Sequence, residues 1–146
     1  MLDQIITQKK TIFSFEVFPP KKTMPVETIY NTLDQRKELK PDFISVTFGA
    51  GGSENCENAV EIAKYIKTVC KVESVIHMPC LNMTKDDALF VLKEFQNAGI
   101  DNILALRGDK VSGKEPANEF FHADELIKFI KEFEKHVEEC FMDTTT

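Results

Sequence analysis

The segment Asn102-Ile-Leu-Ala-Leu-Arg-Gly-Asp109 decides the predicted fold, because an apolar run of strand length ends in a cation, a glycine and an anion. A buried strand carries such polar groups only at its tip. If the segment is extended, the odd-numbered residues from Ile103 to Asp109 share one face, and Leu104 and Leu106 share the other. One face is apolar and the other becomes polar towards its carboxyl end. The tip of this strand is therefore a candidate site.

Three earlier segments repeat the pattern of a strand followed by a helix. Strands are predicted at 11–18, 42–48 and 74–79, and the four strands start near residues 12, 43, 74 and 103. Such spacings have the size of one βα unit. Right-handed crossovers make the sheet parallel and place every carboxyl end at one edge, where α/β proteins bind ligands. The predicted fold class is α/β, with four βα units around a parallel sheet.

Apolar side chains at helical spacing predict the helices between these strands. A short leading helix covers residues 3–9. The segment Thr84-Lys-Asp-Asp87 predicts a capping box that opens a helix closed by Gly99. The last helix carries an apolar stripe from Leu126 to Val137, and residues 141–146 after it are expected to form a disordered tail.

Composition limits the classes of partner. The 146 residues, 42% of them hydrophobic, suffice for one core, so a single domain over residues 1–146 is predicted. A net charge of -6 without a basic stripe disfavours nucleic acid. The chain has no signal-peptide pattern and no apolar run of membrane-spanning length. A cytoplasmic protein without nucleic-acid or membrane partners is expected.

The four cysteines, Cys56, Cys70, Cys80 and Cys140, are widely spaced and form no C-x-x-C pair. This pattern indicates neither a zinc site nor a redox dithiol. In a cytoplasmic chain they are predicted to be reduced packing residues. No metal is predicted.

Polar residues stand near the carboxyl ends of all four predicted strands: Glu16, Thr47, His77, Arg107 and Asp109. Because those ends meet at one edge, these side chains are predicted to converge on a functional rim. Alone, each has a simpler explanation. The histidine resembles a packed residue with one satisfied nitrogen, and the arginine and aspartate can form a surface ion pair.

The loop Gly49-Ala-Gly-Gly-Ser53 is rich in glycine. It fits neither the dinucleotide motif nor a P-loop, since the spacing and the lysine are missing. A flexible turn and a close approach of the backbone to a ligand are both open interpretations.

The order and spacing of several motifs resemble the methylenetetrahydrofolate reductase family. The motifs are Ser14-Phe-Glu-Val-Phe-Pro-Pro20, Pro41-Asp-Phe-Ile-Ser-Val-Thr-Phe-Gly-Ala-Gly-Gly-Ser53, His77-Met-Pro-Cys80 and the segment 102–109. The resemblance covers the chain to about Lys135. It implies a (βα)8 TIM barrel that binds FAD and passes hydride from NAD(P)H to 5,10-methylenetetrahydrofolate. It also implies a place in one-carbon metabolism and methionine supply.

The resemblance also implies roles for individual residues. Glu16 matches the general acid that assists opening of the folate ring, and Asp109 matches an aspartate close to flavin and pterin. A carboxyl group partly withdrawn from water keeps its proton to higher pH, as a general acid near neutrality requires. Thr47 matches a threonine near the nicotinamide site. The matched flavin contacts are Phe48, Ala50, His77, Arg107, Gly108, His122 and Ala123.

Two departures from the family pattern bear on the prediction. Residue 79 is a proline, where the family usually has threonine. The chain has 146 residues, whereas a closed (βα)8 barrel needs about 250. The chain is thus expected to form half of a barrel, with Phe18, Val75 and Ile103 on its exposed inner face. Such a surface predicts a homo-oligomer or association with a complementing C-terminal half.

Three interpretations remain open. The chain is half of a reductase that becomes active when a second chain or copy supplies the missing strands. Alternatively, it is a non-catalytic half-barrel that acts as an association module. The weakest alternative is an open α/β sheet that binds a small anion at its rim.

Overall fold

The computed structural model describes residues 2–9, 11–20, 24–48 and 56–143, with side chains described up to Val137. Helices and strands alternate through these ranges. In chain order they are α1 Leu2–Gln8, β1 Ser14–Val17, α2 Glu27–Arg36 followed by a 3-10 turn Lys37–Leu39, β2 Phe43–Val46, α3 Cys56–Thr68, β3 Glu73–Pro79, α4 Lys85–Asn97, β4 Ile103–Leu106 and α5 Ala123–Asp143.

The four strands form one parallel sheet in the order β1-β2-β3-β4. They begin at Ser14, Phe43, Glu73 and Ile103, which are 29, 30 and 30 residues apart. The predicted α/β class with four βα units is confirmed. Each strand lies beside its neighbour in sequence, unlike a doubly wound sheet, in which the strand order reverses in the middle.

One face of the sheet is covered by helices and forms the core. Ile44 and Val46 of β2 and Ile76 and Met78 of β3 are fully buried on this outer face, in one cluster with buried residues of α3 and α4. The alternate side chains point to the opposite side, called here the inner face. It carries Ser14, Glu16, Ser45, Val75, His77 and Leu104.

The register of β4 corrects one prediction about the inner face. Ile103 pairs with Ile76, and it packs against the core on the outer face. Leu104 pairs with His77 and is exposed on the inner face. A shift of one residue exchanges the two faces of a strand. The inner-face prediction was therefore wrong for Ile103, whose place Leu104 takes.

The sequence signals predicted for the two ends of α4 are present in the structure. Thr84 Oγ1 accepts a hydrogen bond from Asp87 N, and the Asp87 carboxylate accepts one from Thr84 N, each at 3.0 Å. At the other end Gly99 has φ of 69°, a left-handed conformation that costs glycine little. The capping box and the closing glycine are both confirmed.

Helix α5 is longer than predicted. It extends to Asp143, three residues into the segment 141–146 expected as a tail, so the predicted boundary after Cys140 was too early. Residues 144–146 lie outside the described ranges. No helix within those ranges combines the length and the apolar composition needed to cross a bilayer.

The three cysteines with described side chains, Cys56, Cys70 and Cys80, are buried free thiols, as predicted. Burial raises the pKa of Cys56 to about 11, helped by the carboxylates of Glu94 and Glu57. Its sulfur therefore stays protonated near neutral pH, which suits a packing role.

Candidate functional site

A groove of about 710 Å3 runs along the inner face of the sheet. All four strands contribute residues to its lining, as does the segment just before β4. Helix α1 contributes Leu2, Asp3 and Ile6. The groove carries polar groups among apolar ones, as expected of a ligand site.

The side chains of Glu16 and His77 meet in this groove. Glu16 Oε2 lies 3.8 Å from His77 Nε2, although β2 separates their strands. Glu16 pairs with Ser45, and Ser45 pairs with Val75, two residues before His77 on the same face. The short Ser45 side chain leaves room for the longer groups on either side to approach one another. The structure thus brings together an acid and an imidazole from two strands.

The two groups differ in their access to solvent. The His77 side chain is 12% exposed, whereas that of Glu16 is 48% exposed. Glu16 lies on β1, at an edge of the sheet that has no partner strand within the described ranges. The described residues thus withdraw the carboxylate from water only in part.

Beyond the strand ends, hydrogen bonds tie the chain after β3 to the chain after β4. Leu81 N donates to Arg107 O, and Asn82 Nδ2 donates to Asp109 O, each at 2.9 Å. Asn82 Oδ1 is buried and has no hydrogen-bond partner among the described residues. Asn82 therefore fixes the main chain at Asp109 and retains an unused acceptor close to the rim.

Gly108 stands where this rim turns. Its φ is 76°, and a Cβ atom built on it would lie 2.8 Å from Pro79 Cβ. Real Cβ atoms do not approach so closely, so both the backbone angle and the contact require glycine. The proline that departs from the family pattern is thus packed directly against the rim.

Arg107 is directed towards the start of α5. Its Nε donates to Phe121 O at 3.2 Å, and its Nη1 lies 3.4 Å from Gly108 O. Nearby, Cys80 Sγ lies 3.8 Å from Arg107 O and 3.6 Å from His122 O, and burial raises the pKa of this thiol. These contacts hold the residues before α5 against the tips of β3 and β4.

Glu125 occupies the amides at the start of α5. Its carboxylate accepts hydrogen bonds from Phe121 N at 2.6 Å and from His122 N at 3.1 Å. These two bonds hold the pKa of Glu125 below its ordinary value. A ligand anion would meet the guanidinium of Arg107 here, since the two amides are already used.

Five of the predicted site residues fall into two groups. Glu16 and His77 line the groove, while Arg107, Gly108 and His122 gather at the base of α5. Thr47, Asp109 and Ala123 lie outside the groove lining. Thr47 donates its backbone N–H to Val17 O at 3.0 Å. Asp109 is exposed, and Ala123 is the first residue of α5.

Phe48 and Ala50 were both predicted as cofactor contacts. The Phe48 side chain is buried in the core and meets the Phe95 ring edge-on, with centroids 6.2 Å apart. This leaves its main chain as the part available to a ligand. Ala50, like the rest of the glycine-rich loop, lies outside the described residues.

Sequence reasoning missed two residues that shape the site. The place of Ser45 beside Glu16 depends on the register between strands. Asn82 gave a weak signal, as an amide three residues after the end of β3. Its partner, Asp109 O, lies 27 residues away in sequence.

The fold and the groove define a class of protein: a sequentially wound βα sheet with an acid and an imidazole on its inner face. The family model described as methylenetetrahydrofolate reductase matches residues 1–142. The chain is 37% identical over 114 residues to methylenetetrahydrofolate reductase (NADH) 1 of Arabidopsis thaliana, covering 78% of this chain and 19% of the relative. It is 35% identical over 119 residues to 5,10-methylenetetrahydrofolate reductase of Escherichia coli, covering 82% of this chain and 39% of the relative.

A further relative is methylenetetrahydrofolate reductase 1 of Schizosaccharomyces pombe, 36% identical over 128 residues, which are 85% of this chain and 21% of the relative. The chain belongs to the methylenetetrahydrofolate reductase family. Its matched part spans between 19% and 39% of the length of these three relatives.

Proposed function

We propose that this chain takes part in the reduction of 5,10-methylenetetrahydrofolate to 5-methyltetrahydrofolate by NAD(P)H through FAD. The reaction belongs to one-carbon metabolism and methionine supply, and we place it in the cytoplasm. Family membership supports the reaction. The single structural observation that carries the proposal is the 3.8 Å approach of Glu16 to His77 in a groove built by the four strands.

The residues present fit one side of a flavin. Asn82 Oδ1 is a buried acceptor that has no partner in the described part of the chain, and Gly108 places no side chain at the turn of the rim. Arg107 presents a cation beside the start of α5, which suits anionic phosphate oxygens. In the proposal, His77, Arg107 and Gly108 hold the cofactor together with Thr47, Ala50, His122, Ala123 and the main chain of Phe48.

When bound, FAD would supply the hydride that reduces the folate. The residues of the chain provide the remaining chemistry. Glu16 holds a proton at the groove and delivers it as the folate ring opens. The imidazole of His77, 3.8 Å away, flanks this carboxyl group in the groove. Asp109 stands at the β4 tip, where its main chain is held by Asn82.

The proposal includes association with a second copy or with a complementing C-terminal half, either of which would place strands beside β1 and β4, the two outer strands of the sheet within the described ranges. The name of the Arabidopsis relative specifies NADH, which makes NADH the first donor to test.

The test is a titration of the purified chain with FAD, followed by flavin absorbance and fluorescence. We expect saturable binding of FAD. The His77→Ala substitution should weaken the affinity about tenfold or more, because it removes one hydrogen bond to the cofactor. His136→Ala is the matched control, because His136 lies on the exposed side of α5. Absence of saturable binding, or equal weakening by both substitutions, would contradict the proposed site.

A further inference from the structure

Three segments of the chain meet behind the rim: the residues that follow β3, the tip of β4 and the turn before α5. Their meeting point, here called the rim joint, consists of Cys80, Leu81, Arg107, Phe121 and His122. Cys80 is fully buried within it. The joint is therefore built around a sulfur atom that solvent does not reach.

The Cys80 thiol lies against the backbone of both neighbouring segments. Its Sγ is 3.6 Å from His122 O and 3.8 Å from Arg107 O, distances at which an S–H group donates a weak hydrogen bond. Burial raises the pKa of this thiol, so its proton stays on the sulfur near neutral pH. Cys80 is therefore a hydrogen-bond donor here, and it acts neither as a nucleophile nor as a metal ligand, both of which require the thiolate.

Backbone hydrogen bonds reach the same two carbonyl groups. Leu81 N donates to Arg107 O at 2.9 Å, and Glu125 N donates to His122 O at 3.2 Å. Each of these bonds reaches one of the two carbonyls. The Cys80 side chain contacts both of them, and so it connects the tip of β4 to the turn before α5.

The Arg107 side chain depends on the distance between those two segments. Its backbone belongs to the tip of β4, while its Nε donates to Phe121 O at 3.2 Å in the turn before α5. A shift of the turn would stretch this bond, because the two ends of the arginine are attached to different segments. The guanidinium would then lose the direction in which it meets an anionic oxygen.

We propose that Cys80 is a positioning residue for the cofactor side of the site. Its thiol fixes the distance between the tip of β4 and the turn before α5, and thereby the relative placement of the Arg107 guanidinium and the His122 imidazole. This inference rests on the proposed function, in which Arg107 and His122 hold FAD. It adds a residue that acts on the cofactor only through those two.

Cys56 provides a matched control for substitutions of Cys80. It is a buried thiol on α3, 2% exposed, and lies outside the rim joint. Among the described residues, the hydrogen bonds made through sulfur are those of Cys80. Cys56→Ala and Cys80→Ala each remove one buried sulfur atom, so an effect of the cavity alone should appear in both.

The first test uses the flavin-free chain and measures deuterium exchange at the amides of Leu81 and Glu125, which donate to the two carbonyls. We expect exchange about two- to tenfold faster in Cys80→Ala, as for the loss of one net hydrogen bond. Cys80→Ser restores a donor and should be closer to the wild type. Cys56→Ala should leave both amides unchanged.

The infrared S–H stretching band gives a second reading of the same contact. A hydrogen bond from the thiol lowers the frequency of this band. The Cys80 band, identified by its loss in Cys80→Ser, should therefore lie below the Cys56 band, identified by its loss in Cys56→Ala. This measurement does not require Cys80→Ala to fold.

The third test is a titration of each variant with FAD. The affinity should fall about two- to tenfold in Cys80→Ala and should remain at the wild-type value in Cys56→Ala. Cys80→Ser should recover much of the loss. Alanine and serine both lack the sulfur atom, so the difference between these two variants reports the donor.

Equal exchange at Leu81 and Glu125 in Cys80→Ala and Cys56→Ala would overturn the inference. Equal behaviour of Cys80→Ala and Cys80→Ser, or equal S–H frequencies for Cys80 and Cys56, would do the same, as would an FAD affinity that Cys80→Ala leaves unchanged. If the wild-type chain binds no FAD, the proposed function fails, whereas the exchange and infrared measurements still decide whether Cys80 holds the joint.

Discussion

His77 Nε2 lies 3.8 Å from Glu16 Oε2, across a strand that belongs to neither residue. Ser45 of the intervening strand β2 pairs with Glu16 and with Val75, so a short side chain stands beside the acid, two positions before His77. A carboxyl group and an imidazole contributed by different strands can contact the same ligand. Glu16 and His77 are the two predicted site residues whose side chains meet in the groove.

Glu16→Gln tests the acid. The substitution removes a proton but little volume, so folding and flavin binding should be unchanged. Folate reduction by the FAD-containing assembly should fall about 10^2- to 10^4-fold, as for loss of a general acid. Oxidation of NAD(P)H by an artificial acceptor should remain. Glu38→Gln, an exposed change in the 3-10 turn, is the control. Undiminished folate reduction by Glu16→Gln would exclude this role.

Gly108→Ala tests the packing of the rim against Pro79. Gly113 has nearly the same φ, 77° against 76°, but nothing lies within 4 Å of a Cβ added there. Gly113→Ala should cost about 1 kcal/mol for the backbone angle. Gly108→Ala should cost about 1–3 kcal/mol more, because its Cβ overlaps that of Pro79. Urea unfolding measures both values, and equal losses would show that the contact is unimportant.

Glu125→Gln tests the start of α5 by its dependence on pH. The bonds from Phe121 N and His122 N hold the pKa of Glu125 below its ordinary value in the folded chain. Because this pKa is lower in the folded chain than in the unfolded chain, where it is about 4.3, the ionised Glu125 stabilises the folded state. The stabilisation is fully present above the unfolded pKa and is lost as the pH falls through the folded pKa. The variant should therefore melt at a lower temperature than the wild type at pH 7, and the difference should disappear in acid.

The control for this experiment is Glu132→Gln, an exposed residue on the same helix. It changes the net charge equally but removes no bond to the amides before α5. If both variants shift the melting temperature alike, the effect is one of overall charge and the capping interpretation fails.

The sequence was sufficient to predict the fold because its signals are local. The βα spacing, the box at Thr84 and Asp87 and the glycine at Gly99 each depend on a few neighbouring residues. Alternation within β4 was also correct, but both of its faces are apolar. The alternation of side chains along the strand therefore places Ile103 and Leu104 on opposite faces, but it does not decide which of them faces the core.

The finer geometry of the site was not predictable because it depends on distant partners. Arg107 is turned towards α5 by Phe121 O, which lies 14 residues later in the chain. Phe48 matches a flavin contact of the family, while its buried ring packs edge-on against Phe95, a residue 47 positions later in the chain. The spacing of strand ends predicts that polar groups approach one edge, and the packing between elements decides which of them meet.

Asn82→Ala tests how the rim holds Asp109. The 2.9 Å bond from Asn82 Nδ2 to Asp109 O joins two loops that are otherwise linked by their main chains. Removing it should cost about 0.5–1.5 kcal/mol, the usual net value of a hydrogen bond. The amide of Lys110, which shares a peptide unit with that carbonyl, should exchange faster with deuterium. Asn97→Ala, at the exposed end of α4, is the matched control.

Asn82→Asp sharpens the test, since it keeps the shape of the side chain but places a carboxylate oxygen against the carbonyl of Asp109. At pH 7 it should be at least as destabilising as Asn82→Ala. A protonated carboxyl group can donate a hydrogen bond again, so its deficit relative to the wild type should shrink as the pH falls. A deficit that does not depend on pH, together with unchanged exchange at Lys110 in Asn82→Ala, would show that Asn82 does not position Asp109.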